Sequence, residues 1–125
     1  MINKKQTKKE IKKMLKKEDN KLIKQWRRYV LERDSYHCVI CGRKDKINIH
    51  HIIPREIKEF KYDVDNGICL CPNHHRFSKE ISPHKNSLIF YCFFIKHKED
   101  QYKKLINKWK EYQQKKGIIW NVFKD

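Results

Sequence analysis

A chain of 125 residues is one domain's worth of protein, or a small domain with helical extensions. Hydrophobic residues make up only 38%, which excludes a large self-sufficient core and favours a staple such as disulfides or a metal. The net charge of +16, from 31 Lys+Arg against 15 Asp+Glu, is a self-repulsion that a polyanion relieves, and nucleic acid is the commonest such partner. Lys supplies 25 of the 31 cations and acts as a point charge. Charge alone therefore supports nonspecific backbone contact, or simply a lysine-rich proteome.

The chain starts basic but carries no apolar stretch behind that start, so a signal peptide is not expected. The longest uncharged run, Asn86 to Ile95, is too short to span a bilayer. Five cysteines, four of them in a tight central pattern, point to metal ligation in a reducing compartment rather than to a disulfide framework. An intracellular protein, in the cytoplasm or nucleoid of a bacterial host and without a membrane partner, is the expectation.

Residues 1–28 hold twelve cations against three acids, more than half of the net charge. Ile11, Met14 and Leu15 form a sparse helical stripe that resumes at Leu22, Ile23, Trp26, Tyr29 and Val30. Asp19-Asn20 can break the two segments or cap the second. The first block reads as a phosphate-tracking basic arm or as a solvated tail, and the next as a helix from about Asn20 to Arg33. Ile47 to Ile53 reads as a strand, Pro54 to Asp65 as a long hairpin connection, and Ile68-Cys69-Leu70 as a short buried strand behind an Asn66-Gly67 turn. Pro72 opens a helix expected to reach about Glu80. Asn86-Ser87 caps another, Leu88 to Lys96, apolar nearly all round and so expected in the core. The last helix carries the stripe Tyr102, Leu105, Ile106, Trp109 and Tyr112 and stops at Gly117. Behind it, Ile118 to Phe123 form an apolar tail expected to pack on something.

Two paired motifs carry the first layer of chemistry. Cys38-x-x-Cys41-Gly42 has the shape of a zinc knuckle, and Cys71-x-x-His74 repeats its spacing about thirty residues on. Together they form a closed site for structural Zn²⁺ with three sulfurs and one nitrogen. Cys69 is a poorer candidate, lacking a partner three residues on, and Cys92 reads as core packing. The second layer is His50-His51 at a strand end. Adjacent strand residues face opposite ways, so one binds a metal while the other, titrating near neutrality, takes a proton from water. His75, held by its zinc-binding neighbour, supplies a second ligand to a catalytic ion.

The string Cys38-x-x-Cys41, His50-His51-Ile52-Ile53-Pro54, Asn66-Gly67-Ile68-Cys69-Leu70-Cys71-x-x-His74-His75 resembles an HNH endonuclease of the ββα-metal type. The lead-in from Trp26 to Asp34 is similar to the helix before the first zinc pair in phage or mobile-element members, and the resemblance covers roughly residues 24 to 79. It implies His51 as general base, with His50 and His75 as ligands of a divalent ion (Mg²⁺, Mn²⁺, Ni²⁺ or Zn²⁺). It gives Asn66 the task of bracing the hairpin and orienting the base or the metal site. Cys38, Cys41, Cys71 and the residue at 74 would hold structural zinc, although many relatives carry Cys where this chain has His74. Arg55 and Arg76 are candidates to steady the scissile phosphate. The implied reaction is metal-dependent hydrolysis of DNA phosphodiester bonds, by nicking or double-strand cleavage, leaving 5′-phosphate and 3′-hydroxyl ends. A zinc-stabilised DNA-binding module without cleavage and an RNA-directed nuclease are the alternatives.

The expected architecture is α+β: a mainly helical chain around a zinc-stapled β-hairpin plus helix, flanked by N- and C-terminal helices. Its parts would be a basic arm (1–19), a nuclease core (20–83) and a helical extension (84–125). Duplex DNA is the expected partner, with monomer and homodimer both open.

Overall fold

A computed structural model describes the backbone of residues 4–117 and the side chains of 7–117; the apolar tail lies outside the described residues. The elements are helix α1 (Lys4–Arg33), strand β1 (Asn48–His51), strand β2 (Gly67–Leu70), helix α2 (Ser87–His97) and helix α3 (Glu99–Lys116). Between the strands lie two 3₁₀ turns, Lys58–Phe60 and Val64–Asn66, and after β2 comes one π-helical turn, Asn73–Phe77. This is the α+β architecture expected, mainly helical around one antiparallel hairpin. Among the described residues, no helix is long and apolar enough to cross a membrane.

Helix α1 runs unbroken for 30 residues. Its sequence contains no Gly or Pro and is rich in Lys, Glu, Gln and Leu, all good helix formers. Asp19 and Asn20 neither break nor cap it. The Asp19 carboxylate turns to the body, pairing with Lys61 Nζ at 2.7 Å and accepting a hydrogen bond from the Tyr62 hydroxyl. Beyond that anchor Trp26 and Val30 are buried against Ile49 and Cys69. The helix end is bolted to the hairpin by Arg33, which donates to the Val64 and Gly67 carbonyls and pairs with buried Asp34. Asp34 in turn accepts the backbone N–H of Cys69 at 3.0 Å.

The register pairs Asn48 with Leu70, Ile49 with Cys69, His50 with Ile68 and His51 with Gly67. Period-2 alternation sends Ile49 and His51 toward α1 and leaves His50 for the other face. On that other side Ile68 and Leu70 join Phe60, Phe90, Phe94 and Leu105 in the main core. Helix α3 closes the fold from below the loop. Gln101 Nε2 donates to the Asp65 and Gly67 carbonyls, and Lys108 Nζ pairs with Asp63 and Asp65. Gly117, at φ 62°, adopts the left-handed conformation that ends the helix.

Three expectations need correction. The helix expected from Pro72 to Glu80 is a single wide turn, closed by Ser78 N–H donating to the Asn73 carbonyl, after which Ser78 is extended. Helix α2 begins where expected, with Asn86 Oδ1 accepting from Ile89 N–H, but it is not core all round. Phe90 and Phe94 are buried, whereas Leu88, Ile89, Tyr91 and Ile95 are exposed, because only one side of the helix meets the body. Cys92 is exposed for the same reason: two residues from Phe90, it points about 200° away around the helix.

Candidate metal centres and active site

The first thiol pair sits in a turn after α1. Ser35 and Tyr36 take positive φ angles of 54° and 59°, and Gly42 one of 79°, so the chain folds tightly around the knuckle. Backbone N–H groups close it: Gly42 to the Cys38 carbonyl and Val39 to the Cys69 carbonyl. Cys71 follows β2 directly, and the wide turn carries His74 three residues on. The four ligand atoms of Cys38, Cys41, Cys71 and His74 all lie within 4.8 Å of one another. Cys41 Sγ and Cys71 Sγ are 3.8 Å apart, and His74 Nδ1 lies 3.7 Å from Cys38 Sγ and 3.3 Å from Cys71 Sγ. Tetrahedral zinc bonds set S···S edges of about 3.8 Å and S···N edges of about 3.6 Å, so the donor set fits that ion's dimensions.

The thiols' electrostatics agree. Burial raises the Cys38 pKa, but N–H donors of Cys71, Cys41 and Ile40 outweigh it, and the net shift is downward, toward thiolate. Cys41 is pushed up, first by desolvation and then by the neighbouring sulfurs of Cys38 and Cys71, a conflict that a cation among them removes. Cys69 stands apart, buried against the Val30 carbonyl, with its thiol raised to about 12 by burial and by Asp34.

The second centre forms on the α2 side of the hairpin. Adjacent residues on a helical turn diverge by about 100°, so His74 and His75 face different ways. His75 Nε2 lies 3.3 Å from His50 Nδ1 and 3.1 Å from His84 Nε2. The three rings place one nitrogen each within 4.8 Å of the others and could hold a metal ion. One lone pair on His75 cannot serve two ring N–H groups well, and its buried Nδ1 has no hydrogen-bond partner among the described residues. The two separations from His75, 3.3 and 3.1 Å, match the N···N edge of about 3.3 Å around a tetrahedral zinc-sized ion. Burial, then the neighbouring rings, hold His50 down at about 3, and burial with His84 and Arg76 holds His75 at about 4. Both are neutral, ligand-ready imidazoles near pH 7.

Sequence spacing does not single out His84. It has no partner at helical or knuckle spacing, and only the Ser82-Pro83 turn hints that the chain doubles back after His75. That turn is tight. Buried Ser82 accepts the N–H of Asn86 at 2.7 Å, and Asn86 Nδ2 donates to the Lys79 carbonyl.

His51 belongs to neither cluster. Its Nε2 lies 2.9 Å from the Lys61 carbonyl, and its ring stacks on Trp26 at 4.0 Å between centroids and 10° between planes. A carbonyl only accepts, so the contact puts the proton on Nε2 and leaves the lone pair on Nδ1. Burial lowers the His51 pKa, with Arg55 and Lys61 adding to the shift against a rise from its hydrogen bond.

Asn66 is fully buried and replaces the ladder where β1 ends. Its Oδ1 accepts from Ile53 N–H at 2.5 Å, and its Nδ2 donates to the carbonyls of Ile53 and Phe60. It touches neither histidine cluster; it fixes Phe60, next to the Lys61 carbonyl that holds His51. Arg55 and Arg76 are both exposed, the first acting on His51 and the second on His50 and His75.

Residues 38–78 match the family model described as HNH endonuclease. Searches of curated proteins and of solved structures return no match. The matched segment begins at the first zinc-type cysteine and ends one residue past the turn that carries His74 and His75. The hairpin, the paired Cys/His cluster and His50, His51 and His75 all lie inside that segment, which is similar to the HNH endonuclease family, and His84 lies six residues beyond it.

Proposed function

We propose that the protein is a metal-dependent DNA endonuclease in which His51 activates water beside an ion held by His50, His75 and His84. The observation that carries this reading is the pairing of two arrangements at one strand end. Three imidazoles converge on one side, and on the other a single imidazole is held with its Nδ1 lone pair free.

His51 Nδ1 takes a proton from water, the water oxygen bonds to phosphorus, and the P–O3′ bond breaks. The products are a 5′-phosphate and a 3′-hydroxyl, the departing oxygen taking its proton from solvent. A divalent ion, when bound, stabilises the charge that develops on that oxygen. Lys61 keeps the base in the correct tautomer, and Asn66 fixes the backbone beside it. Exposed Arg55 and Arg76 offer positive charge to the scissile phosphate. Cys38, Cys41, Cys71 and His74 hold structural zinc, stapling a hairpin of only four residues a strand. The N-terminal part of α1 serves as a basic arm on duplex phosphates: Lys8, Lys9, Lys12, Lys13, Lys16 and Lys17 are all exposed there.

The test is plasmid cleavage with Mg²⁺, Mn²⁺ or Ni²⁺, wild type beside His51→Ala. Metal-dependent nicking that is lost in the variant supports the reading. DNA binding with no cleavage by the wild-type protein under any of these ions would overturn it, and preferential cutting of RNA would redirect it.

A further inference from the structure

We infer that Trp26 is a positioning residue for His51: the indole of α1 fixes the imidazole plane while the Lys61 carbonyl fixes its edge. This rests on the reading of His51 as the base. The two rings are nearly parallel, 10° apart, at a centroid distance of 4.0 Å. A hydrogen bond at Nε2 alone leaves an imidazole free to swing about the axis through that contact. A flat wall against one face removes that freedom, and the two constraints together give Nδ1 one direction.

The wall is itself fixed. Trp26 is 3% exposed, and its Nε1 donates to the Asp63 carbonyl at 2.7 Å. Its approach depends on Gly67, the cross-strand partner of His51. A Cβ at position 67 would meet Val30 Cγ2 at 2.6 Å and Trp26 Cζ2 at 2.7 Å. The absence of a side chain opposite His51 is what lets α1 lie close enough for the stack. Ordinary core packing would ask only for bulk at position 26. It would not ask for a planar ring parallel to a half-buried imidazole.

The test separates these roles by the shape of the substituted side chain. Trp26→Leu and Trp26→Phe both lose the bond to Asp63, but only Phe retains a flat face. Trp26→Leu should lower kcat about ten- to hundredfold with KM for DNA little changed, the scale expected for a misaligned reacting group. Trp26→Phe should recover most of that loss. In a His51→Ala background the residual rate should be indifferent to Trp26→Leu. Equal losses in Leu and Phe, or a further drop on the His51→Ala background, would overturn the assignment in favour of plain packing. Full cleavage by His51→Ala alone would instead sink the reading of the base, leaving the two failures distinguishable. Should the variants not fold, NMR of the wild-type protein decides: the His51 ring protons must be shifted upfield by the indole ring current, and unshifted protons would refute the stack.

Discussion

At the scale of single residues, the histidines differ by environment rather than by type. His50 and His75, held at about 3 and about 4, stay neutral where a free histidine near 6.5 would take a proton. Above pH 6.5 the folded and unfolded chains agree in charge at these sites, and the stability is fully present. As pH falls below 6.5 the unfolded chain gains protons that the folded site refuses, so stability is lost down to about pH 4 and below. The thermal midpoint should fall across that window, and a midpoint flat or rising on acidification would contradict it. His84 gives a second expectation. His84→Ala should weaken the catalytic-type ion by at least about tenfold, the lower end of the cost of losing a group that supports a metal. The zinc-type cluster, which shares no side chain with it, should keep its ion, and metal titration followed by elemental analysis reads both. Loss of both ions together would show that the centres are not independent.

Among the elements, the loop before β2 takes the bonds that join the others. Trp26, Arg33, Gln101 and Lys108 all reach residues 63–67 from two different helices. Gly67→Ala tests how tight that junction is. The added methyl must displace Val30 or the Trp26 indole, and overpacking of this kind costs about 1–3 kcal/mol. Chemical denaturation should show the loss, and an unchanged midpoint would mean that α1 shifts freely. Much of this level is legible in the sequence. The Cys and His pairs, the hairpin, the Asn86 cap and the Gly117 stop all follow from local spacing or from a residue's own backbone preferences. What is not legible depends on neighbours far along the chain. Asp19 looks like a cap until Lys61 and Tyr62 claim it. Helix α2 looks like core until only one of its faces finds a partner. Trp26 looks like one more member of an apolar stripe, because nothing local marks the ring it covers. His84 is invisible to spacing rules because a turn, rather than a repeat, brings it home.

On the scale of the whole molecule, charge and shape belong to the same object. The arm lysines sit on the helix that touches His51, with no hinge between them. Replacing Lys8, Lys9, Lys12, Lys13, Lys16 and Lys17 with Gln should weaken DNA binding and flatten its salt dependence, by about 0.9 in log–log slope for each phosphate that the arm no longer neutralises. Cutting by saturating enzyme should change far less. An unaltered salt slope would remove the arm from the interface. Because α1 is unbroken at Asp19, it also acts as a ruler. Eighteen residues separate Lys8 from Trp26, about 27 Å of helix at about 1.5 Å per residue. Laid along a duplex, that is about eight base pairs at about 3.4 Å each. The protected stretch of DNA should therefore extend farther from the cut on one side than on the other, by an amount that shrinks by about 1.5 Å for each residue removed from the arm.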